Sequence, residues 1–480
     1  MLLQHSILYF LIRGISGLVG LLSLVLFTRL LTPAEYGLYA LALAGLGVMN
    51  VVFFQWLNIG IGRFMPAYQQ SSQVILATVA VGFLCSLLIT GILLGILLWH
   101  WPDRATRGVV LVSGLLGWGQ AWFELTLRIA NIRLDPNRYG LLSVGKAVLA
   151  LMAGVTLVYL GYGIYGLLGG ALAAVIVTSA VLGAKDWAGV RFHSSSAQLL
   201  SRILHYGAPL TVMYFLILVV DVSSRFFLGW YSGARDLGVY AATYDLVQWS
   251  LATLMGVINL AGFPLVVQAL ESKGVQAAES QLRQYASLMF GVGVPSLVGL
   301  CLLAENLVEV LFGANFHQDS AVLIPWLACG LFLACAKSFY FDLSFQLGRN
   351  TKWQAIVAAC AAVVNVLLNV WWIPSHGAMG AAYSAVAAFG VGLLASMYLG
   401  ARTFRLPPLS KNIYKIIVAS VGMALVVWPS SGFRGLGALA FQLALGIVTY
   451  AGMLILLDVE GVRSTIARFS ERIKSSASIK

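Results

Sequence analysis

Apolar runs of about eighteen residues or more return along almost the whole chain, separated by short polar connections. Each is long enough to cross a hydrocarbon core about 30 Å thick. About fourteen such runs lie between residues 7 and 457; the first two are 7–31 and 36–64, the last two 413–429 and 434–457. The pattern predicts an all-α polytopic membrane protein, because a transmembrane β-barrel would show alternating segments of ~10 residues instead. The longest connections are 185–205 and 305–319, the second an interfacial amphipathic turn on Leu307, Val308, Val310, Leu311 and Phe312. From Asp458 to Lys480 the pattern becomes basic and amphipathic, as in a helix lying on a membrane surface.

The first connection is tight. Leu26 to Ala40 closes one run, turns at Thr32-Pro33-Ala34-Glu35 and opens the next. Its continuation, Glu35-Tyr36-Gly37-Leu38-Tyr39-Ala40, is echoed by Asp236-Leu237-Gly238-Val239-Tyr240-Ala241. A second echo pairs Gly166-Leu167-Leu168-Gly169-Gly170-Ala171 with Gly377-Ala378-Met379-Gly380-Ala381-Ala382. Two parallel six-helix lobes follow, 1–205 and 206–402, with two further spans at 403–457 and a tail at 458–480. Such halves commonly flank the substrate path of secondary transporters.

Composition sharpens this picture. The 480 residues are 60% hydrophobic and 10% charged, with a mean hydropathy of +0.90. A soluble domain carries roughly 25% charged residues. The net charge of +12 would suggest nucleic acid in a soluble protein, but basic cytoplasmic loops account for it here. Connections on one side carry 18 Lys and Arg, those on the other side 4. That bias puts both termini in the cytoplasm, which an even number of spans also requires. The five cysteines lie in apolar runs without C-x-x-C spacing and read as small core residues.

Seven cations remain in or at the edges of spans: Arg13, Arg29, Arg63, Arg128, Lys146, Arg225 and Lys337. Four acids join them: Glu124, Asp221, Asp245 and Asp342. Buried charge is costly and normally faces a bundle interior or watery cavity. The cationic excess suits an anionic, phosphate-bearing substrate. Arg13, Arg225, Lys337, Arg63 and Arg128 are therefore the candidate substrate contacts, with end-of-helix snorkelling the competing reading for Arg63, Lys146 and Lys337. Asp221 with Arg225, and Glu124 with Arg128, are spaced i,i+4 and can pair along one helix face. Asp221, Glu124 and Asp245 are the candidates for coupling to an ion, H+ or Na+. Arg29 is expected to cap its helix and steady the turn at Thr32–Glu35. Pro264, Gly293 and Pro295 interrupt apolar runs and are candidate hinges. Metal and nucleotide motifs are missing, as are P-loop, H-E-x-x-H and supported G-x-S-x-G patterns. The expectation is a transporter without cofactor, not an enzyme.

The opening I-R-G-I-S-G-L-V-G-L-L-S-L-V-L-F-T-R-L-L-T-P-A-E-Y-G-L-Y-A resembles the start of the polysaccharide exporters of the MOP superfamily, the Wzx-like O-antigen flippases. Its core is Arg29, Leu31, Pro33, Tyr36 and Gly37, with Glu35 in the same turn. Asn58 to Phe64 and Leu311 to Phe316 are similar to further stretches of that family. The resemblance implies a MATE-like fold of two lobes around a cationic cavity in a bacterial inner membrane. It implies ion-coupled, alternating-access flipping of an undecaprenyl-pyrophosphate-linked oligosaccharide, an O-antigen or exopolysaccharide unit. Membrane lipids and polysaccharide polymerase or assembly proteins are the expected partners, with no role for nucleic acid. Two other readings stay open: a multidrug or small-molecule exporter of the same superfamily, and a non-transporting scaffold of a polysaccharide assembly complex.

Overall fold

The computed structural model describes residues 2–67, 72–100 and 103–463, and among these the regular structure is entirely helical. The side chains of 2–11, 13, 104 and 105 lie outside the description, as does the basic tail expected beyond residue 463. Two compact units emerge: Met1–Ala242 with Ala355–Ala388, and Thr243–Gln354 with Phe389–Lys480.

The first unit contains α1 (Leu2–Leu30), α2 (Pro33–Phe53), α3 (Gln55–Phe64), α4 (Ser72–His100), α5 (Arg104–Ile132), α6 (Pro136–Leu157), α7 (Gly163–Val181), the short α8 (Ala184–Trp187) and α9 (Ala197–Tyr231). It also holds the start of α10 (Ala234–Val247). The second unit continues through α11 (Thr253–Lys273), α12 (Val275–Leu302), α13 (Ala304–Leu311), α14 (His317–Ala336) and α15 (Leu343–Leu347). Next comes α16 (Lys352–Ala401), whose central portion belongs to the first unit. Helices α17 (Lys411–Val427) and α18 (Leu436–Leu456) close the second unit, with α17 packed on α12.

Among the described residues, ten helical stretches are long and apolar enough to cross a membrane. Two of them, Pro136–Val181 with 46 residues and Lys352–Ala401 with 50, would each exceed twice the ~30 Å hydrocarbon thickness at about 1.5 Å per residue. Both are hairpins. Gly163 reverses the first at φ 49°, ψ −130°, and Gly377 the second at φ 53°, ψ −131°. Only glycine adopts that backbone at low cost. The limbs then touch directly: a Cβ on Gly166 would stand 2.8 Å from the Leu157 carbonyl carbon, and one on Gly380 would stand 2.6 Å from that of Trp372. Dividing the hairpins, and counting α5 with the apolar part of α1 (Gly14–Leu30), gives the fourteen crossings expected.

At the two reversals the sequence echo takes a different register from the one expected. Gly163 and Gly166 correspond to Gly377 and Gly380, an offset of 214 residues. The expected match of Gly166 with Gly377 is three residues out of step, because the run of small residues conceals which glycine makes the reversal. Beside each reversal stands an acid from the turn motif. A Cβ on Gly163 would lie 2.8 Å from Glu35 Oε1, and one on Gly377 would lie 3.0 Å from Asp236 Oδ2.

The turn itself is a capping box. Glu35 N donates to Thr32 Oγ1 at 3.3 Å, while Thr32 N donates to Glu35 Oε2 at 2.9 Å. Arg29 lies exposed in the last turn of α1. One turn into α2, Gly37 meets the N-terminus of α10, where its absent side chain would collide with the Ala234 carbonyl. Gly238 repeats this against the Pro33 carbonyl. Each glycine leans on the first residue of the other's helix, a local two-fold arrangement of backbone on backbone. Small residues let membrane helices approach this closely. It also explains why the compact units depart from the repeats: α9, the start of α10 and the 355–388 hairpin gather with the first six spans.

Gly37→Ala or Gly238→Ala forces this crossing apart and is expected to cost about 1–3 kcal/mol, as overpacking does. The double variant should cost less than the sum of the singles, since the first separation already relieves the second collision. Thermal unfolding of the purified full chain in detergent measures both.

Candidate functional site

In the first unit, α9 faces the first limb of α16 across a cluster of buried polar groups. Ser223 Oγ donates to Asn365 Oδ1 at 2.6 Å, and Asn369 Nδ2 donates to the same oxygen at 2.9 Å. Asn369 Nδ2 also reaches Ser224 Oγ at 3.1 Å, and Ser224 Oγ reaches Asn369 Oδ1 at 3.3 Å. Asn365 and Asn369 have no solvent exposure, yet the buried Asn365 Nδ2 has no hydrogen-bond partner. Polar groups held in an apolar interior without full pairing are costly and call for an explanation.

Charge flanks this cluster. Asp221 precedes Ser223 on α9 and remains exposed, and Arg225, one turn further on, interacts with it electrostatically. Tyr240, buried on α10, hydrogen-bonds with Ser224 and lies in the field of Arg225. The i,i+4 spacing leaves Asp221 within electrostatic reach of Arg225, beside a network the charges did not reveal. Its place in the repeat is informative. At the matching positions the first copy has Gly20, Leu22, Ser23 and Leu24 on α1, and Leu151 and Val155 on α6. The polar cluster belongs to the second copy alone. Asn365 and Asn369 are missed by a search for charge, although two asparagines one turn apart in an apolar run were a usable signal.

The other expected pair, Glu124 with Arg128, does not form. Gln120 Nε2 donates to Glu124 Oε1 at 2.9 Å, and Lys146 Nζ donates to Gln120 Oε1 at 2.9 Å. The Lys146 ammonium stands 4.8 Å from the Phe123 ring centroid, so it turns toward α5 instead of snorkelling. Lys146 on α6 supplies the nearby charge and Gln120 bridges to it. Arg128 turns to the exposed side of α5, its guanidinium lying across Gly62 where any side chain would collide.

The remaining candidates are dispersed. In the second unit, Lys337 Nζ donates to Asp342 Oδ2 at 2.8 Å, and Ser396 Oγ donates to Asp342 Oδ1 at 2.5 Å. Lys337 and Asp342 lie at the two ends of a widened helical turn, Lys337–Phe341, which brings them together. Lys337 is thus ion-paired to a buried acid and is not an unengaged cavity cation. Arg63 is exposed in the last turn of α3, and Asp245 is half-buried on α10. The Arg13 side chain lies outside the described residues. Helices α11 and α12 run on through Pro264 and Pro295, and Gly293 is buried beside Met255 and Phe332. Among the described residues, no group of three His, Cys, Asp or Glu side chains converges on a metal site.

Comparison with known proteins places this geometry in context. The family model described as "Polysaccharide biosynthesis protein" matches residues 26–321. The Thermotoga maritima protein named "Probable lipid II flippase MurJ" is 27% identical over 226 residues, which are 45% of this chain and 46% of that protein. A Shigella flexneri protein whose name includes "O-antigen transporter" is 22% identical over 183 residues, 38% of this chain and 43% of its own. The chain therefore spans about half the length of the curated relatives it matches.

Among solved structures, lipid II flippase MurJ in an inward closed conformation superposes with a TM-score of 0.74 at 16% identity, covering 95% of this chain and all of that one. An inward-facing multidrug resistance MATE family transporter of the MOP superfamily gives 0.57 at 18% identity, covering 83% and 94%. The fold is that of MurJ and the MATE transporters.

Removing one member of the buried pair tests its structural role. Lys337→Met leaves Asp342 buried and uncompensated and is expected to cost about 3–5 kcal/mol. Lys337→Met with Asp342→Leu should recover most of that loss, measured as the thermal midpoint of the purified full chain.

Proposed function

The chain belongs to the polysaccharide biosynthesis protein family, and from that membership we propose that it flips a lipid-linked glycan across a bacterial inner membrane. The substrate class is an undecaprenyl-pyrophosphate-linked oligosaccharide, an O-antigen or exopolysaccharide repeat unit. Translocation runs from the cytoplasmic to the outer leaflet by alternating access. Both termini are cytoplasmic, in line with the excess of Lys and Arg on one set of connections. The protein's part is transport, without bond-making chemistry on the sugar; polymerase or assembly proteins act on the product.

One observation carries the mechanistic part of the proposal: the cluster of Asp221, Ser223, Ser224, Arg225, Asn365 and Asn369 lies where the echoed positions of the first half are Gly20, Leu22, Ser23, Leu24, Leu151 and Val155. A structural requirement common to both copies would leave its trace in both. We assign coupling to Asp221, the exposed acid of the cluster, with H+ or Na+ as the ion. Arg225 is the favoured contact for the pyrophosphate; Arg13, Arg63 and Arg128 are further candidates, while Lys337 is neutralised by Asp342. The names of the relatives favour a lipid-linked substrate. Multidrug export is the second reading, since the MATE fold is shared; the matched family favours glycan.

Complementation of a cell lacking its own lipid-linked glycan flippase tests this directly. Wild type should restore surface glycan. At matched membrane levels, Asp221→Asn and Arg225→Ala should each lower export about ten-fold or more, the effect of ~1.4 kcal/mol lost at a binding step. In proteoliposomes, Asp221→Asn should also lose dependence on an imposed H+ or Na+ gradient. Export equal to wild type in both variants would sink the assignment.

A further inference from the structure

Helices α4, α5 and α7 leave a cleft of about 460 Å³ in the first unit, far from the α9–α16 cluster in sequence and built from different elements. Its walls are Phe83, Leu87, Trp118, Trp122, Val175 and Trp187. The aromatic rings form a continuous surface: Phe83 and Trp122 centroids are 4.9 Å apart, Trp122 and Trp187 4.1 Å. Two of the indoles have already spent their polar edges. Trp118 Nε1 donates to Thr90 Oγ1 at 2.9 Å and Trp187 Nε1 to Thr126 Oγ1 at 3.0 Å. What they present to the cleft is carbon. One polar atom interrupts that lining: Ser179 Oγ, buried and without a hydrogen-bond partner.

Charge at one end of the cleft narrows the occupant. Ala184 and Trp187 in the wall belong to α8, where the chain leaves the apolar spans. The same connector carries the exposed cations Lys185 and Arg191. Its acid, Asp186, is buried and already held by Arg133 Nη1 at 2.8 Å and Arg138 Nη2 at 2.9 Å. Two arginines thus surround one carboxylate while Lys185 and Arg191 stay outside it. Asp135 caps α6 by accepting from Arg138 N at 3.0 Å. The balance at this end is cationic.

We propose that the cleft holds one acyl chain of an anionic phospholipid whose headgroup phosphate is met by Lys185 and Arg191. Ser179, in the last turn of α7, donates its hydroxyl to an ester carbonyl, where the chain joins the glycerol. Aromatic residues at the level where headgroup meets acyl chain are a common membrane anchor. A zwitterionic headgroup would bring its own cation against Lys185 and Arg191, which is why an anionic lipid is favoured. This inference rests on the chain spanning a membrane and is independent of the flippase reading.

The test uses the full chain in nanodiscs of non-brominated phosphatidylcholine. Phosphatidylglycerol or phosphatidylcholine with brominated acyl chains is titrated in while tryptophan fluorescence is recorded. A saturable quenching component should appear at lower mole fraction with phosphatidylglycerol, by about five-fold for each of the two cations near the surface. Lys185→Gln with Arg191→Gln should bring the two lipids level. Ala180→Phe, which fills the cleft from the exposed face of α7, should remove the saturable component while the thermal midpoint holds. Equal quenching of wild type by both lipids overturns the proposal, as does a preference that survives double neutralisation or a component that survives Ala180→Phe.

Discussion

The crossing of α2 with the start of α10 sets the arrangement of the first unit. Inside a bilayer, helices gain little hydrophobic energy from touching each other, because lipid tails are as apolar as leucine. What holds them is close van der Waals contact, and Gly37 and Gly238 make that contact as close as two backbones permit. Because each glycine sits on the first residue of the partner helix, the two turn motifs lock in register. Glu35 and Asp236, one on each motif, then lie beside Gly163 and Gly377, the residues where the hairpins reverse. A single close approach thus brings together two helices and the reversals of two hairpins.

Symmetry at the turns makes its absence elsewhere meaningful. The two copies share their reversal geometry to within a few degrees at Gly163 and Gly377. They part at the α9–α16 face, where the second copy buries two asparagines and two serines and the first has mostly apolar residues. Such groups destabilise a membrane interior unless paired, and these four are bonded largely to one another. Lys146 and Lys337 are different. One is engaged by Gln120 and Phe123, the other by Asp342, and both are absorbed into packing.

Much of the fold was legible along the chain, since crossing a bilayer needs only a local property, uninterrupted apolar length. The turn at Thr32–Glu35 was legible for a similar reason: capping chemistry acts within four residues. The echo of Glu35–Ala40 in Asp236–Ala241 was readable too, and its two glycines meet. Legibility failed where the decisive partner lies on another helix. The i,i+4 spacing of Glu124 and Arg128 says nothing of Lys146, which approaches from α6 and draws Glu124 into a different network. The repeat at the hairpins slipped by three because glycine spacing alone does not disclose backbone sign. Asn365 and Asn369 carry no charge, and only their burial against Ser223 and Ser224 reveals them.

The hairpin reversals have a consequence for how the protein is made. At Gly163 and Gly377 the chain turns back through very short connections, the second with only Ser375 and His376 as polar side chains beside the reversal, between limbs that touch from the first turn onward. A translocation channel handling either pair has almost nothing polar to carry across and no stable halfway state in which one limb is settled and the other still waits outside. The close contact of the limbs favours insertion of each pair together, as one helical hairpin. An epitope or protease site placed at these reversals would have to cross as foreign cargo, between limbs that leave it no room.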